Sequence, residues 1–200
     1  TVYGGGPSAE ARLAGKTVAP MPTARVLTAA VELADGRVLV VGGSDGLTGD
    51  KTYTVAEVYD PKTERWPTVK PMAVGRIAHP ATLMADGRVL VVGGKTGPYF
   101  QRELVRTAEI FDPTTGAWSA ASKPAGERNA AGAVGLPDGR VLVLGGFEAS
   151  TMRTAELYDP AHDTWTTAGE GLRLYTKPAL VLLGDGRVLA LTYSGNVTVV

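Results

Sequence analysis

Residues 34–43 read ADGRVLVVGG, and residues 85–94 repeat those ten letters without a change. A near-copy, PDGRVLVLGG, begins at Pro137, and a more distant one, GDGRVLALTY, begins at Gly184. Repetition at a fixed period constrains the fold more than any other feature, because each repeat must then be one supersecondary unit that its neighbours cover. With Asp35, Asp86, Asp138 and Asp185 as marks, the period is 51, then 52, then 47 residues. After each Gly-Gly pair comes a loop of variable length, then VAEVYDP (55–61), TAEIFDP (107–113) or TAELYDP (154–160). Six residues past that aspartate stand Trp66, Trp118 and Trp165, and ten further on stand Arg76, Arg128 and Tyr175, with Arg25 as the matching residue of the first copy.

Each unit reads as four short strands. Strand A is the apolar run before the turn (27–33 in the first copy), and Asp35-Gly36 is a hairpin signal that predicts a type I′ turn. Strand B, 37–41, is apolar throughout, as expected of a strand buried on both faces. Strand C carries AEVYD, in which the small and aromatic residues alternate with the strand period of two. An Asp-Pro turn then leads to strand D at the tryptophan. Helical periodicity is absent. Four antiparallel strands at this period are what a propeller blade requires, since one such sheet cannot cover its own apolar faces.

The Gly-Gly doublet closing strand B, the Tyr or Phe of strand C and the following tryptophan together resemble the Kelch repeat, in three good copies and one degenerate copy. The resemblance implies an all-β protein, a β-propeller of four-stranded antiparallel blades, about four of them in this chain. It makes Gly42, Gly43, Tyr59 and Trp66, with Gly93, Gly94, Phe111, Trp118 and Gly145, Gly146, Tyr158, Trp165, blade-packing residues. The units fall at about 23–72, 74–124, 126–171, and 173–200 completed by 1–22 in a single domain. The fourth departs from the pattern, with Tyr193-Ser194 in place of the glycines. Residues 9–22, AEARLAGKTVAPMP, resemble a shortened strand C and strand D. Half a blade at each end suggests a four-bladed ring closed by joining the termini. The competing readings are an excerpt, or a ring completed through a second chain as a homodimer.

Twenty basic and twenty acidic residues cancel, which speaks against a nucleic-acid partner, and no apolar run is long enough for membrane insertion as a helix. The chain has no cysteine, hence no disulfide and no thiolate metal site, and the compartment stays open, with a secreted or surface setting favoured. It starts at Thr1, as a processed or excerpted chain would. No copy carries GxGxxG or GxxxxGK[ST], so the glycine pairs are not a phosphate cradle. His79 and His162 are the only histidines and are expected on opposite faces, which leaves no metal site. No cofactor is expected.

Copies that share one structural demand should agree, and positions free of it should drift. The B–C loops, SDGLTGDKTY (44–53), KTGPYFQRELVR (95–106) and FEASTMR (147–153), drift most, and function belongs on their face. The same face should carry Arg25, Arg76, Arg128 and Tyr175 around the channel mouth, with His79 just behind. Three converging guanidiniums suit a carboxylate or an acidic peptide. Alternatively they bond to blade carbonyls or to Glu57, Glu109 and Glu156. Tyr99 and Phe100 either anchor a contact or tuck back onto their own blade, and the second is expected. The resulting reading is a non-catalytic module binding a protein, peptide or glycan. A small sugar-acid enzyme of the Kelch-like epimerase type, using the arginines and His79, and a purely structural part of a larger protein are the alternatives.

Overall fold

In the computed structural model of the chain, residues 17–147, 154–170, 178–192 and 197–200 are described. They build antiparallel sheets laid side by side. The first blade pairs β1 (Ala29–Glu32), β2 (Val38–Val41) and β3 (Ala56–Tyr59). The second begins with β4 (Ala81–Leu83) and β5 (Val89–Val92). Its B–C loop is itself a small hairpin, β6 (Lys95–Thr96) against β7 (Glu103–Leu104), and β8 (Ala108–Asp112) and β9 (Ala117–Ala121) complete the four-stranded sheet. The third blade runs β10 (Gly132–Gly135), β11 (Val141–Leu144), β12 (Thr154–Asp159) and β13 (Thr164–Glu170) in sequence order. In the fourth, β14 (Ala179–Leu182), β15 (Val188–Leu191) and β16 (Val197–Val199) form the described sheet. This is the all-β Kelch architecture that the repeat implies.

Two local expectations are corrected. The Asp-Gly hairpin is not a type I′ turn: Gly36 has φ 85°, but Asp35 does not join it on the positive side. Instead Gly36 donates its amide to Leu33 O at 2.9 Å, and Leu33 donates to Arg37 O at 2.7 Å. That is a three-residue loop, a type I turn followed by a left-handed glycine, with Asp35 Oδ1 accepting the Arg37 amide at 3.1 Å. The first blade also lacks a regular strand D. Around Trp66 only the isolated bridges Glu57↔Thr68 and Asp60↔Arg65 are made. Pro67 follows the tryptophan here, where Ser119 and Thr166 follow it in the other blades, and proline has no amide to give to a ladder.

The core lies between blades rather than within them. Val89 and Val91 face the first blade together with Phe111, while Leu90, Val92 and Ile110 face the third. Both faces of β5 are thus fully covered, which explains an unbroken apolar run in a strand whose neighbouring residues point opposite ways. Each strand-C aromatic leans on its tryptophan, with ring centroids 5.0 Å apart for Tyr59 and Trp66, 5.1 Å for Phe111 and Trp118, and 4.9 Å for Tyr158 and Trp165. The indole then reaches backwards. Trp118 Nε1 donates to Lys70 O at 2.7 Å and Trp165 Nε1 to Ser122 O at 2.8 Å, both at the preceding blade's outer edge, and Trp66 Nε1 donates to Ala19 O at 3.0 Å in the segment before the first blade.

Candidate functional site

The arginines of the repeat are inside the protein. The side chains of Arg25, Arg76 and Arg128 are 0%, 0% and 1% exposed. Arg76 Nη2 pairs with Glu109 Oε1 at 2.5 Å, and Nη1 donates to Gly93 O at 2.9 Å and Thr107 O at 3.1 Å. Arg128 repeats the arrangement with Glu156 at 2.6 Å and Gly145 O at 2.9 Å, and Arg25 with Glu57 at 2.5 Å and Gly42 O at 2.8 Å. The carboxylates also accept backbone amides of the segment entering each blade: Thr23 at 3.1 Å, Ala73 at 2.7 Å and Ala125 at 2.7 Å. Burial pulls the Arg76 guanidinium below its ordinary value, against the charge of Glu109. An ion pair so placed is held by its hydrogen bonds as much as by its charges. These guanidinium donors are directed into the blades and not toward the channel mouth, and Tyr175 lies outside the described residues.

The arginine backbone makes a second tie. Gly43 donates to Arg76 O at 2.9 Å, and Gly94 donates to Arg128 O at 3.0 Å. A Cβ on Gly42 would stand 2.5 Å from both Arg76 O and His79 Cε1, which is why the doublet begins with glycine. The residue two beyond each arginine is left-handed, with φ 57° at Leu27, 51° at Ala78 and 53° at Ala130, and Ala130 donates to Ala78 O at 2.8 Å.

Inside this girdle the inner strands β1, β4, β10 and β14 border a cavity of about 240 Å³. Its walls are small, including Thr28, Ala30, Ala81, Ala131 and Ala133, with His79 set among them at 3% exposure. Among the described residues no group of three or more His, Cys, Asp or Glu side chains is placed to hold a metal ion. His162 is on the other face, exposed and 2.7 Å from Asp159 Oδ2.

The B–C loops form the accessible surface. The first and second are stitched together: Thr52 Oγ1 lies 3.1 Å from Thr96 Oγ1, Tyr99 donates its amide to Asp50 Oδ1 at 3.1 Å, and Arg102 Nη2 donates to Gly49 O at 3.1 Å. On this base the single 3₁₀ turn among the described residues, Tyr99–Gln101, lifts Phe100 to 93% exposure. Tyr99 backs it edge-on at 4.9 Å, and the Arg102 guanidinium lies 5.0 Å from the Tyr99 ring centre. Phe100 does not tuck back onto its blade: the tip of the hairpin is held toward the first loop by the Gly97 and Tyr99 amides, which donate to Thr52 Oγ1 and Asp50 Oδ1. Leu47 and Phe147 are exposed on the adjoining loops. Sequence reasoning passed over these two, although an apolar residue inside an otherwise polar loop was a visible signal. A second concavity, of about 350 Å³, lies beside Arg106, Glu127 and Thr154, where Arg106 and Glu127 form an ion pair.

The Kelch motif matches residues 27–73, 76–124 and 129–170. The F-box/kelch-repeat protein SKIP20 of Arabidopsis thaliana is 33% identical over 101 residues, which cover 50% of this chain and 23% of the plant protein. Kelch-like protein terF of Aspergillus terreus is 31% identical over 138 residues, 65% of this chain and 29% of the fungal one. The chain thus spans less than a third of the length of these relatives. Three matches in phase, covering more than half of its residues on blades joined as described, make this chain a member of the Kelch-repeat family.

Proposed function

We propose that the chain is a non-catalytic interaction module that binds a protein or peptide on the face built by its B–C loops, with Phe100 as the anchor. The observation that carries this is a phenylalanine held almost fully in solvent by a hairpin that is itself pinned to the next loop. Burying such a ring on binding is worth about 1.5–3 kcal/mol, and a loop already fixed loses little freedom in doing so. Kelch repeats are protein-interaction and scaffold units, which supports the same reading. An anionic partner fits the surroundings. Lys51 lies 5.0 Å from the Tyr53 ring and Lys95 5.9 Å from that of Phe147, while Asp45 accepts the Lys51 amide of its own loop and Asp50 the Tyr99 amide of the second blade's loop. Arg25, Arg76 and Arg128 enter as the supports of this face.

The test is selection of peptides from a random display library on the folded chain, followed by binding to Phe100→Ala and Leu47→Ser. Both variants should melt with the parent and lose at least about ten-fold in affinity. Selected peptides that bind the variants and the parent alike would refute this assignment. Turnover of a sugar acid abolished by His79→Ala would establish the enzymatic alternative instead.

A further inference from the structure

The chain contains five Asp-Gly pairs, at 35–36, 45–46, 86–87, 138–139 and 185–186. In such a pair the main-chain nitrogen of the glycine can attack the side-chain carbonyl of the aspartate, because no Cβ shields that nitrogen. In the four hairpin pairs both reacting groups are occupied. Gly36 donates its amide to Leu33 O at 2.9 Å, and Gly87, Gly139 and Gly186 donate in the same way at 3.0 Å. Asp35 Oδ1 accepts the Arg37 amide at 3.1 Å while Oδ2 accepts Arg37 Nε at 2.8 Å, an arrangement repeated with Arg88, Arg140 and Arg187. The bonds from Arg37, Arg140 and Arg187 hold the Asp35, Asp138 and Asp185 carboxyls below the ordinary 3.8, and an ionised carboxyl is a poor electrophile.

The fifth pair, Asp45-Gly46, is built differently. It lies in the first B–C loop, where Asp45 is exposed. Its Oδ1 accepts the Lys51 amide at 3.1 Å, but among the described residues no guanidinium or ammonium group pairs with its carboxylate. The ammonium of Lys51 is turned to the Tyr53 ring instead, 5.0 Å from its centre. Among the described residues no acceptor meets the Gly46 amide. The two reacting atoms also face one spot. A Cβ on Gly49 would stand 2.7 Å from Gly46 N and 2.8 Å from Asp45 Cγ, so the glycine at 49 leaves open the space in which they meet.

We infer that Asp45-Gly46 is a site of spontaneous aspartate isomerisation in the folded protein, and that the hairpin clamps protect the other four pairs. Gly46 N bonds to Asp45 Cγ, and the amide proton leaves with the carboxyl hydroxyl as water, which closes a five-membered succinimide. Water then adds to one of the two imide carbonyls. Breaking the bond from nitrogen to Cγ restores aspartate, and breaking the bond from nitrogen to the main-chain carbonyl carbon gives isoaspartate. The isoaspartyl link runs the main chain through the former side chain. It removes the acceptor that closes the loop onto Lys51 and shifts Leu47, two residues beyond Asp45. The consequence for a partner rests on the B–C loops being the binding face; the chemistry stands without it.

Trypsin puts each Asp-Gly pair on its own peptide, 38–51 for Asp45, so one digest of the aged chain reads all five. The folded chain is kept in warm, neutral buffer for several weeks and sampled by liquid chromatography and mass spectrometry. Peptide 38–51 is expected to accumulate an isomer of unchanged mass and a species lighter by one water. It should do so at least about ten-fold faster than the four hairpin peptides, which react only through local opening of their turns. In urea sufficient to unfold the chain, all five should react at comparable rates. Arg88→Ala, at a partly exposed position, should raise the rate at Asp86 and leave that at Asp45 unchanged. Gly46→Ala should suppress the reaction at Asp45. A folded chain in which Asp45 reacts no faster than the hairpin aspartates, or a ranking of the five that survives in urea, would overturn the inference.

Discussion

Gly43 donates its amide to the carbonyl of Arg76, 2.9 Å away on the next blade, and the guanidinium of that same Arg76 donates to Gly93 O at 2.9 Å. The next step is identical in form, from Gly94 to Arg128 O at 3.0 Å and from Arg128 to Gly145 O at 2.9 Å. Each arginine holds the blade behind it by its main chain and its own blade by its side chain. The girdle is therefore one continuous hydrogen-bonded path, and its members can be tested singly.

Arg76→Ala would leave the Glu109 carboxylate buried without its cation, and uncompensated buried charges of this kind cost about 3–5 kcal/mol. Urea denaturation should show that loss. The double variant Arg76→Met, Glu109→Met should recover a good part of it. An Arg76→Ala protein as stable as the parent would return the arginine to candidacy as a ligand contact.

Gly42→Ala places a methyl group 2.5 Å from Arg76 O and His79 Cε1 at a residue with φ 66°. Strain and overpacking together should cost about 2–4 kcal/mol. Gly36→Ala serves as the control, since its φ of 85° is equally left-handed but nothing lies within 4 Å of the added carbon. There the loss should stay near 1–2 kcal/mol, about the backbone cost alone. Equal losses at the two sites would show that close approach is not what the doublet is for.

Trp118→Phe keeps most of the ring against Phe111 and removes the 2.7 Å bond to Lys70 O. The expected loss is about 1 kcal/mol, the net worth of one hydrogen bond at a solvent-accessible edge. Thermal melts of Trp118→Phe and Trp165→Phe should agree, because the two joints are built alike.

Stability should fall at both ends of the pH scale through one contact. Asp163 Oδ1 accepts the Ser122 amide at 2.8 Å and the Tyr158 hydroxyl at 2.7 Å, and these bonds, the amide foremost, hold its carboxyl below the ordinary 3.8. Burial first, and Asp163 second, push the Tyr158 phenol above its ordinary 10.0. The folded carboxyl binds fewer protons than the unfolded one, so its contribution is present above 3.8 and is lost as pH falls through the folded value. The folded phenol binds more, so its contribution is present below 10.0 and is lost as pH climbs toward the folded value. Melting temperatures from about pH 2 to about pH 12 should show Asp163→Asn flattening the acid limb and Tyr158→Phe the alkaline one.

The period, the four strands and the roles of glycine, aromatic and tryptophan were legible because each repeats in phase, and a repeated residue answers a repeated demand. Phase alone did not show whether Arg76 faces a ligand or a glutamate. Both need a guanidinium at the start of strand A, and burial, which decides between them, arises only when the neighbouring blade is in place. The turn at Asp35-Gly36 was misread because Asp-Gly fits a two-residue and a three-residue loop equally well, and the Leu33–Arg37 pairing selects the longer. The regular outer strand expected at Trp66 fails at Pro67, a residue that follows the tryptophan in the first copy alone. Phe100 was visible as an apolar residue in a long loop, but its exposure depends on Asp50 and Gly49, which belong to a different repeat.

The joint between blades has a consequence for ancestry. Everything it needs, from one Gly-Gly pair to the arginine that meets it, fits within a single period of about fifty residues. A tandem duplication of one period would therefore add a sheet already equipped to grip both of its neighbours, with no compensating change elsewhere. The letter-for-letter identity of residues 34–43 and 85–94 is what such a history leaves behind.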